Sequence, residues 1–270
     1  MDIKYRKVIY RIPMLHNIAK HIVRIQNRLF YRSLLCNDYQ NKTINSLDLS
    51  KLPRKNRCFI VGNGPSLTIA DLELLRNEDC FAANLIFKIF PETEWRPRYY
   101  VVQDRYARID EFLKTEEVPY VFIGSYFWRT RGCENRKAYC FHHEECLSGE
   151  TLKFCIGDDY CFYDSCTVTY TMIQMAVKMG YEEIYLLGID HNYPSVIDEK
   201  GNVSIKSTEK SHFFKDERPG EVIANIIMME KGYRKAKEVV ENLGIKIYNT
   251  TRGGLLDVFV RKHLEDVFKD

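Results

Sequence analysis

No stretch of this 270-residue sequence approaches the run of about 20 apolar residues that a membrane-spanning helix needs. Its nine cysteines contain no CxxC pair and are odd in number, which speaks against both a disulfide scaffold and a paired zinc framework. Cys58, Cys80 and Cys155 lie in apolar, strand-like runs where a reduced cysteine acts as a small hydrophobe, a pattern that fits a reducing cytoplasm. A strong charge of one sign is missing too. The formal net charge of +3 gives no reason to expect a nucleic-acid partner. No signal peptide is expected, because His16, Lys20, Arg24 and Arg28 interrupt the apolar residues near the N-terminus and leave no h-region.

The composition that remains, 45% hydrophobic and 29% charged, is that of a globular chain with one main core. Its basic residues are unevenly placed. Between Met1 and Ser33, Lys4, Arg6, Lys7, Arg11, Lys20, Arg24, Arg28 and Arg32 stand against Asp2 alone, so the rest of the chain is acidic overall. After Pro13, Leu15, Ile18, Ile22, Ile25 and Leu29 recur at helical spacing, with Lys20, Arg24 and Arg28 on another side. Two readings of this amphipathic helix stay open: it packs on the main domain or a partner subunit, or residues 12–32 lie on an anionic membrane surface. The polar stretch from Asn37 to Lys55 reads as a connector, so residues 1–55 form an N-terminal unit and residues 56–270 the main domain.

From Arg57 onward, short apolar runs alternate with helical segments, the signature of an α/β, Rossmann-like fold with a mostly parallel sheet and flanking helices. Strands are expected at Cys58 to Val61, Cys80 to Ala83, Tyr99 to Val102, Tyr120 to Ile123, Glu183 to Leu187 and Ile245 to Tyr248. A helix from Thr167 to Met179 groups Met172, Met175, Ala176 and Met179 and stops at Gly180, a suitable C-terminal cap. Residues 191–220 read as a polar lid loop, and a second helix spans about Glu221 to Asn242.

The segment Gly62-Asn63-Gly64-Pro65-Ser66 follows an apolar strand and precedes a helix starting near Thr68. It is neither GxGxxG nor a Walker A loop, yet glycine admits close backbone approach, and amides at a helix start favour an anion. In such sheets ligands collect at the carboxyl ends of strands. Asp104 ends one strand and Asp190 another. Asp104 either reaches a substrate hydroxyl or amino group or caps the next helix; Asp190 either binds ligand or magnesium, or braces its loop. The run His142-His143-Glu144-Glu145-Cys146 resembles a metal site, but adjacent histidines on a strand point to opposite faces, and no metal site is expected there.

Gly62-Asn63-Gly64-Pro65-Ser66-Leu67, Asn84, the run from Gly180 to Asp190 ending in Gly188-Ile189-Asp190, and Ser211-His212 together resemble bacterial CMP-sialic-acid-dependent sialyltransferases. They resemble still more the domain of unknown function 115, shared with archaeal 6-hydroxymethylpterin diphosphokinases (MptE-like). The likeness spans roughly Arg57 to Phe268. It implies a metal-independent inverting transfer, in which Gly62, Asn63, Gly64, Pro65, Ser66 and Asn84 hold a nucleotide, Tyr193 steadies its phosphate and His212 acts as base. Thr167-Val168-Thr169 stand where the sialyltransferases have Thr-Ser-Gly, so the donor sugar contact there differs.

Glycosyl transfer needs a base near an acceptor hydroxyl and donors for the leaving phosphate, roles that suit histidine and tyrosine chemically. Three functions follow as expectations. The first is a glycosyltransferase that moves a sugar from a nucleotide-linked donor, CMP in the first instance, to a glycan or lipid-linked glycan acceptor. It works in the cytoplasm or at the inner membrane face and uses no cofactor. The second is a magnesium-dependent diphosphokinase using Asp104 and Asp190. The third is a non-catalytic nucleotide-binding module. A homo-oligomer is left open by the apolar stripe of the first helix.

Overall fold

Runs such as Cys58-Phe59-Ile60-Val61 and Tyr99-Tyr100-Val101-Val102 carry apolar residues at consecutive positions, as strands buried on both faces require. In the computed structural model these runs form one nine-stranded, all-parallel sheet in the order β11-β10-β7-β1-β2-β3-β4-β5-β6. The strands are β1 (Arg57–Val61), β2 (Asp79–Ala83), β3 (Tyr99–Val102), β4 (Tyr120–Gly124), β5 (Ala138–Glu145) and β6 (Cys161–Asp164). They continue with β7 (Glu183–Leu187), β10 (Lys246–Asn249) and β11 (Val260–Arg261), while β8 (Ser195–Ile197) and β9 (Val203–Ile205) make a separate antiparallel pair. The structure describes residues 13–36, 40–52, 54–133, 137–147, 149–157, 160–193, 195–197, 203–205 and 224–269.

The helices are α1 (Pro13–Cys36), α2 (Ile69–Leu74), α3 (Ser125–Arg131), α4 (Val168–Met179) and α5 (Ile226–Asn242). Alternate residues of β1 feed two cores. Cys58 and Ile60 join Met172, Ala176, Tyr233 and Ala236 of α4 and α5, whereas Phe59 and Val61 join Leu67, Leu72 and Leu264 on the other face. Each fully buried side chain of this size contributes about 1.5–3 kcal/mol. Helix α4 starts at the N-cap Thr167 and ends at Gly180, which sits at φ 83° and lets the Tyr181 N–H reach the Ala176 carbonyl at 3.2 Å. The fold is thus a single Rossmann-like α/β domain, as its sequence pattern indicates.

Several details differ from the sequence reading. β5, β6, β8, β9 and β11 are additional strands, with β8 and β9 inside the stretch read as a lid; Cys155 is buried in a loop rather than a strand, and α5 starts at Ile226. The stretch read as a connector packs closely: Ile44 and Leu49 are fully buried, and Thr43 bridges to Cys140 of β5. Of the expected lid, residues 194, 198–202 and 206–220, including His212, lie outside the described residues.

Helix α1 docks with its charged side inward. Arg24 donates to Glu150 at 2.6 Å and to the Glu145 carbonyl at 2.5 Å, Arg28 donates to Glu144 at 2.7 Å, and Lys20 sits 3.8 Å from Glu145. Asn27, fully buried, donates to Ser125 Oγ at 2.7 Å, and Tyr31 stacks on His142. The apolar stripe faces outward instead, with Ile18, Ile22, Ile25 and Leu29 between 44% and 60% exposed. The cause is local charge: β5 and the loop after it present Glu144, Glu145 and Glu150, which draw the basic side of the helix. Desolvation alone would raise the Glu144 carboxyl, but bonds from His142 and Arg28 outweigh it and hold the group well below the usual carboxylate range. Among the described residues no helix is long and apolar enough to cross a membrane.

Candidate active site at the sheet's switch point

From β1 the chain steps through β2 to β6 on one side, then returns to β7 on the other side of β1. The crevice of an open α/β sheet lies where that direction reverses, at the carboxyl ends of the strands. A pocket of about 450 Å³ opens there, bounded by the loops after β1, β2, β3 and β7, the ends of β5 and β6, and the first turn of α4.

The two loops at the reversal interlock. Gly62 N–H donates to the Leu187 carbonyl at 2.8 Å, and Gly64 N–H donates to the Gly188 carbonyl at 2.9 Å. A Cβ on Gly62 would lie 2.4 Å from the Gly188 oxygen, and one on Gly64 only 1.8 Å from Asp190 Oδ2. These glycines are therefore demanded by contact between the β1 and β7 loops. Ser66 Oγ donates to Asp190 Oδ2 at 2.8 Å, and this bond opposes the desolvation that raises the Asp190 carboxyl above its ordinary value.

Helix α2 does not offer the anion site expected of it. It has six residues, its first turn is closed by a capping box between Thr68 and Asp71, and Asp71 is held by two bonds from Arg252 at 2.6 and 2.5 Å. The end of α4 is more open to the pocket: Thr167, Val168 and Thr169 line it, with the Thr167 side chain accepting from Thr169 N–H.

Gly62, Asn63, Gly64, Asn84, Asp104, Thr167, Thr169, Asp190 and Tyr193 all border this pocket, while Pro65 and Ser66 do not line it. Asn63 Nδ2 donates to the Ala83 carbonyl at 3.2 Å, and Asn84 sits at φ 55° with its carbonyl accepting from the Tyr100 hydroxyl. The Oδ1 atoms of both asparagines are buried without a partner, an arrangement a bound donor group would relieve. Asp104 accepts from Tyr106 N–H at 2.8 Å within a turn, so no helix is capped there, and its side chain stays exposed at the rim. Burial pushes the partly buried Tyr193 phenol upward.

Several pocket groups escaped the sequence reading. His143 is buried with Nδ1 unpartnered, and burial beside His142 pushes its imidazole down to about 3. Asp164, in register with Glu145 across β5 and β6, accepts from Cys166 N–H at 2.7 Å; desolvation and the Glu145 charge raise it to about 7. His191 is 7% exposed, stands at φ 53° and leaves both ring nitrogens without a partner. Burial lowers it, so the imidazole is neutral at pH 7. Its one sequence signal was adjacency to Asp190. Among the described residues lining the pocket, Arg105 is the one with a permanent positive charge, against the acids Asp104, Glu145, Asp164 and Asp190.

Strand alternation sends His143 to the pocket and His142 toward α1. His142, Glu144 and Cys161 bring ligand-type atoms within 4.8 Å of one another, but Arg28 occupies the Glu144 carboxylate.

The fold is similar to that of the MAf glycosyltransferase from Magnetospirillum magneticum AMB-1, at 15% identity and a TM-score of 0.51 over 81% of this chain. This chain spans 35% of the length of that protein. The Campylobacter jejuni sialyltransferase CstII is matched in complex with the substrate analogue CMP-3FNeuAc, at 16% identity and a TM-score of 0.41 over 76% of this chain and 85% of that one. It is also matched in complex with cytidine-5'-monophosphate, at 16% identity and a TM-score of 0.35 over 77% and 85%. A comparison with curated protein sequences finds no match. Residues 32–196, which carry β1 to β7, match the model of the family described as 6-hydroxymethylpterin diphosphokinase MptE-like, and the chain belongs to that family.

Proposed function

We propose that this chain is a glycosyltransferase that moves a sugar from a nucleotide-activated donor, CMP-linked in the first instance, to a hydroxyl of a surface-glycan acceptor. The observation that carries this reading is the switch-point pocket, whose buried Asn63 and Asn84 amide oxygens lack protein partners. In the reaction a base takes the acceptor hydroxyl proton, the oxygen bonds to the anomeric carbon, and the nucleoside monophosphate leaves with the electron pair of the broken bond. His212 is the base this reading names, Tyr193 the hydroxyl that steadies the leaving phosphate, and Thr167, Thr169 and Asp104, which line the pocket, its contacts to the donor.

The same reading sets the acceptor at an anionic membrane face, with residues 12–32 against it. The exposed Ile18, Ile22, Ile25 and Leu29 support this, whereas the pairing of Lys20, Arg24 and Arg28 with the domain's own acids removes them from the attraction.

A second reading is a diphosphokinase of the 6-hydroxymethylpterin type, favoured by the acidic pocket lining as well as by the family. Asp104 and Asp190 offer oxygen ligands of the kind magnesium takes, although Ser66 already engages one Asp190 oxygen. Magnesium would shield the phosphates of ATP from these acids.

The test is a thermal-shift panel of CMP, CDP, UDP, GDP and ATP, each with and without magnesium. Ligand at 100 times its Kd adds about 2.7 kcal/mol of stability. Stabilisation by CMP that ignores magnesium supports the glycosyltransferase. Stabilisation by ATP only with magnesium replaces it by the diphosphokinase, and silence across the panel removes both.

A further inference from the structure

A phosphate in this pocket needs hydrogen-bond donors, and the two glycines of the β1 loop have committed theirs. The Gly62 and Gly64 amides bond to β7-loop carbonyls, and the Ser66 hydroxyl bonds to Asp190. In the β7 loop, His191 offers two ring nitrogens without a hydrogen-bond partner among the described residues, although only 7% of the residue is exposed. Leaving such a buried group dry is destabilising.

The backbone keeps His191 in this position. It stands at φ 53°, a left-handed conformation that is unfavourable for a residue with a Cβ. The loop is held on three sides: Ile189 N–H donates to Thr251 Oγ1 at 3.0 Å, Leu255 N–H to the Asp190 carbonyl at 2.7 Å, and Ser66 to the Asp190 carboxylate at 2.8 Å. A strained, over-determined backbone that presents an unsatisfied side chain to a pocket is the pattern of a ligand-binding position.

The imidazole packs edge-on against Tyr193 and Tyr233, with ring centroids 5.9 and 5.7 Å away. The Tyr233 phenol in turn lies beside the hydroxyls of Thr167 and Thr169, at the first turn of the twelve-residue α4. Hydroxyls, a helix start and an imidazole N–H thus gather at one wall of the pocket, and all of them suit an oxyanion.

We propose that His191 hydrogen-bonds the phosphoryl group of the bound nucleotide, on the same wall of the pocket as the first turn of α4. This rests on the nucleotide-binding reading above and adds to it a residue that the family likeness does not supply. The imidazole donates from whichever nitrogen carries the proton, and the phosphoryl oxygen accepts.

The test compares CMP with cytidine, which differ by the phosphate, on the full chain and on the variants His191→Ala and His191→Asn. Asparagine tolerates the left-handed backbone and retains a donor. By calorimetry, His191→Ala is expected to weaken CMP about 10-fold to 100-fold, to leave cytidine affinity unchanged, and to be partly rescued by His191→Asn. Melting temperatures check that the variants are folded. Unchanged CMP affinity in His191→Ala, or an equal loss for CMP and cytidine, overturns the inference.

If the wild-type chain binds neither CMP nor any other nucleotide, the proposed function fails separately. Pyrophosphate and inorganic phosphate then decide this point through the His191 ring resonances of labelled protein, assigned with His191→Asn. A saturable shift upholds an oxyanion site at His191, and no shift overturns it.

Discussion

The loops that leave β1 and β7 both begin with glycine and meet at the switch point, yet they dispose of their polar groups in opposite ways. The β1 loop turns inward: its Gly62 and Gly64 amides, the Ser66 hydroxyl and the capping box of α2 are all engaged within the protein. The β7 loop, braced through Asp190 and Ile189, presents His191 with nothing attached. Glycine in such a turn marks where two backbones touch. The open valences lie on side chains instead, at Asn63 within the β1 loop and at His191 one loop away.

Breaking the contact between the loops should have the largest effect. Gly64→Val would push carbon into Asp190 and the Gly188 carbonyl, and is expected to cost about 3 kcal/mol or more. Urea denaturation measures this; a variant as stable as the wild type would show that the loops can separate.

The next contrast is between two pocket acids. Asp164, raised to about 7, holds its proton more tightly in the folded chain than in the unfolded one. The stability this gives is full below the unfolded pKa near 4 and disappears as pH rises through about 7. Asp164→Asn should therefore raise stability on the order of 1–2 kcal/mol at pH 8 and change it little at pH 4, read as melting temperature against pH. An equal effect at both pH values would assign Asp164 an ordinary carboxyl.

Smaller again is Ser66→Ala, which removes the brace on Asp190 and is expected to cost about 1 kcal/mol in the same denaturation assay. Comparable is His191→Asn, at about 1 kcal/mol, because it loses ring packing on Tyr193 and Tyr233 but no hydrogen bond to any described residue. A much larger loss of stability there would mean that His191 holds the loop together, and the contrast between the loops would disappear.

The sheet was legible where strands are apolar at every position. β3 and β7 have the limits their sequence suggests, and β1, β2, β4 and β10 lie within a residue of theirs. Helix α4 was legible from its methionines and Gly180. The expected glycine-turn, asparagine and aspartate positions fall around one pocket because each directly follows a strand of the parallel sheet.

β5 was not legible, because His142-His143-Glu144-Glu145 has the look of a surface run or a metal motif. It is polar because one of its faces receives the basic side of α1. The pocket roles of Glu145 and Asp164 were hidden with it, since both end strands that the apolar pattern does not reveal. The orientation of α1 was hidden for the same reason: hydrophobic periodicity locates a stripe but cannot show that the acids of an unseen strand will draw the other side inward.

That inverted docking bears on how the protein can be trimmed. A greasy N-terminal helix invites removal to obtain a better-behaved fragment, and here the cut would do the reverse. It would take Arg28 from Glu144, Asn27 from Ser125 and the Tyr31 ring from His142, uncovering an acidic, partly desolvated strand face. Replacing Ile22 and Ile25 with polar residues would improve handling and leave that seam closed.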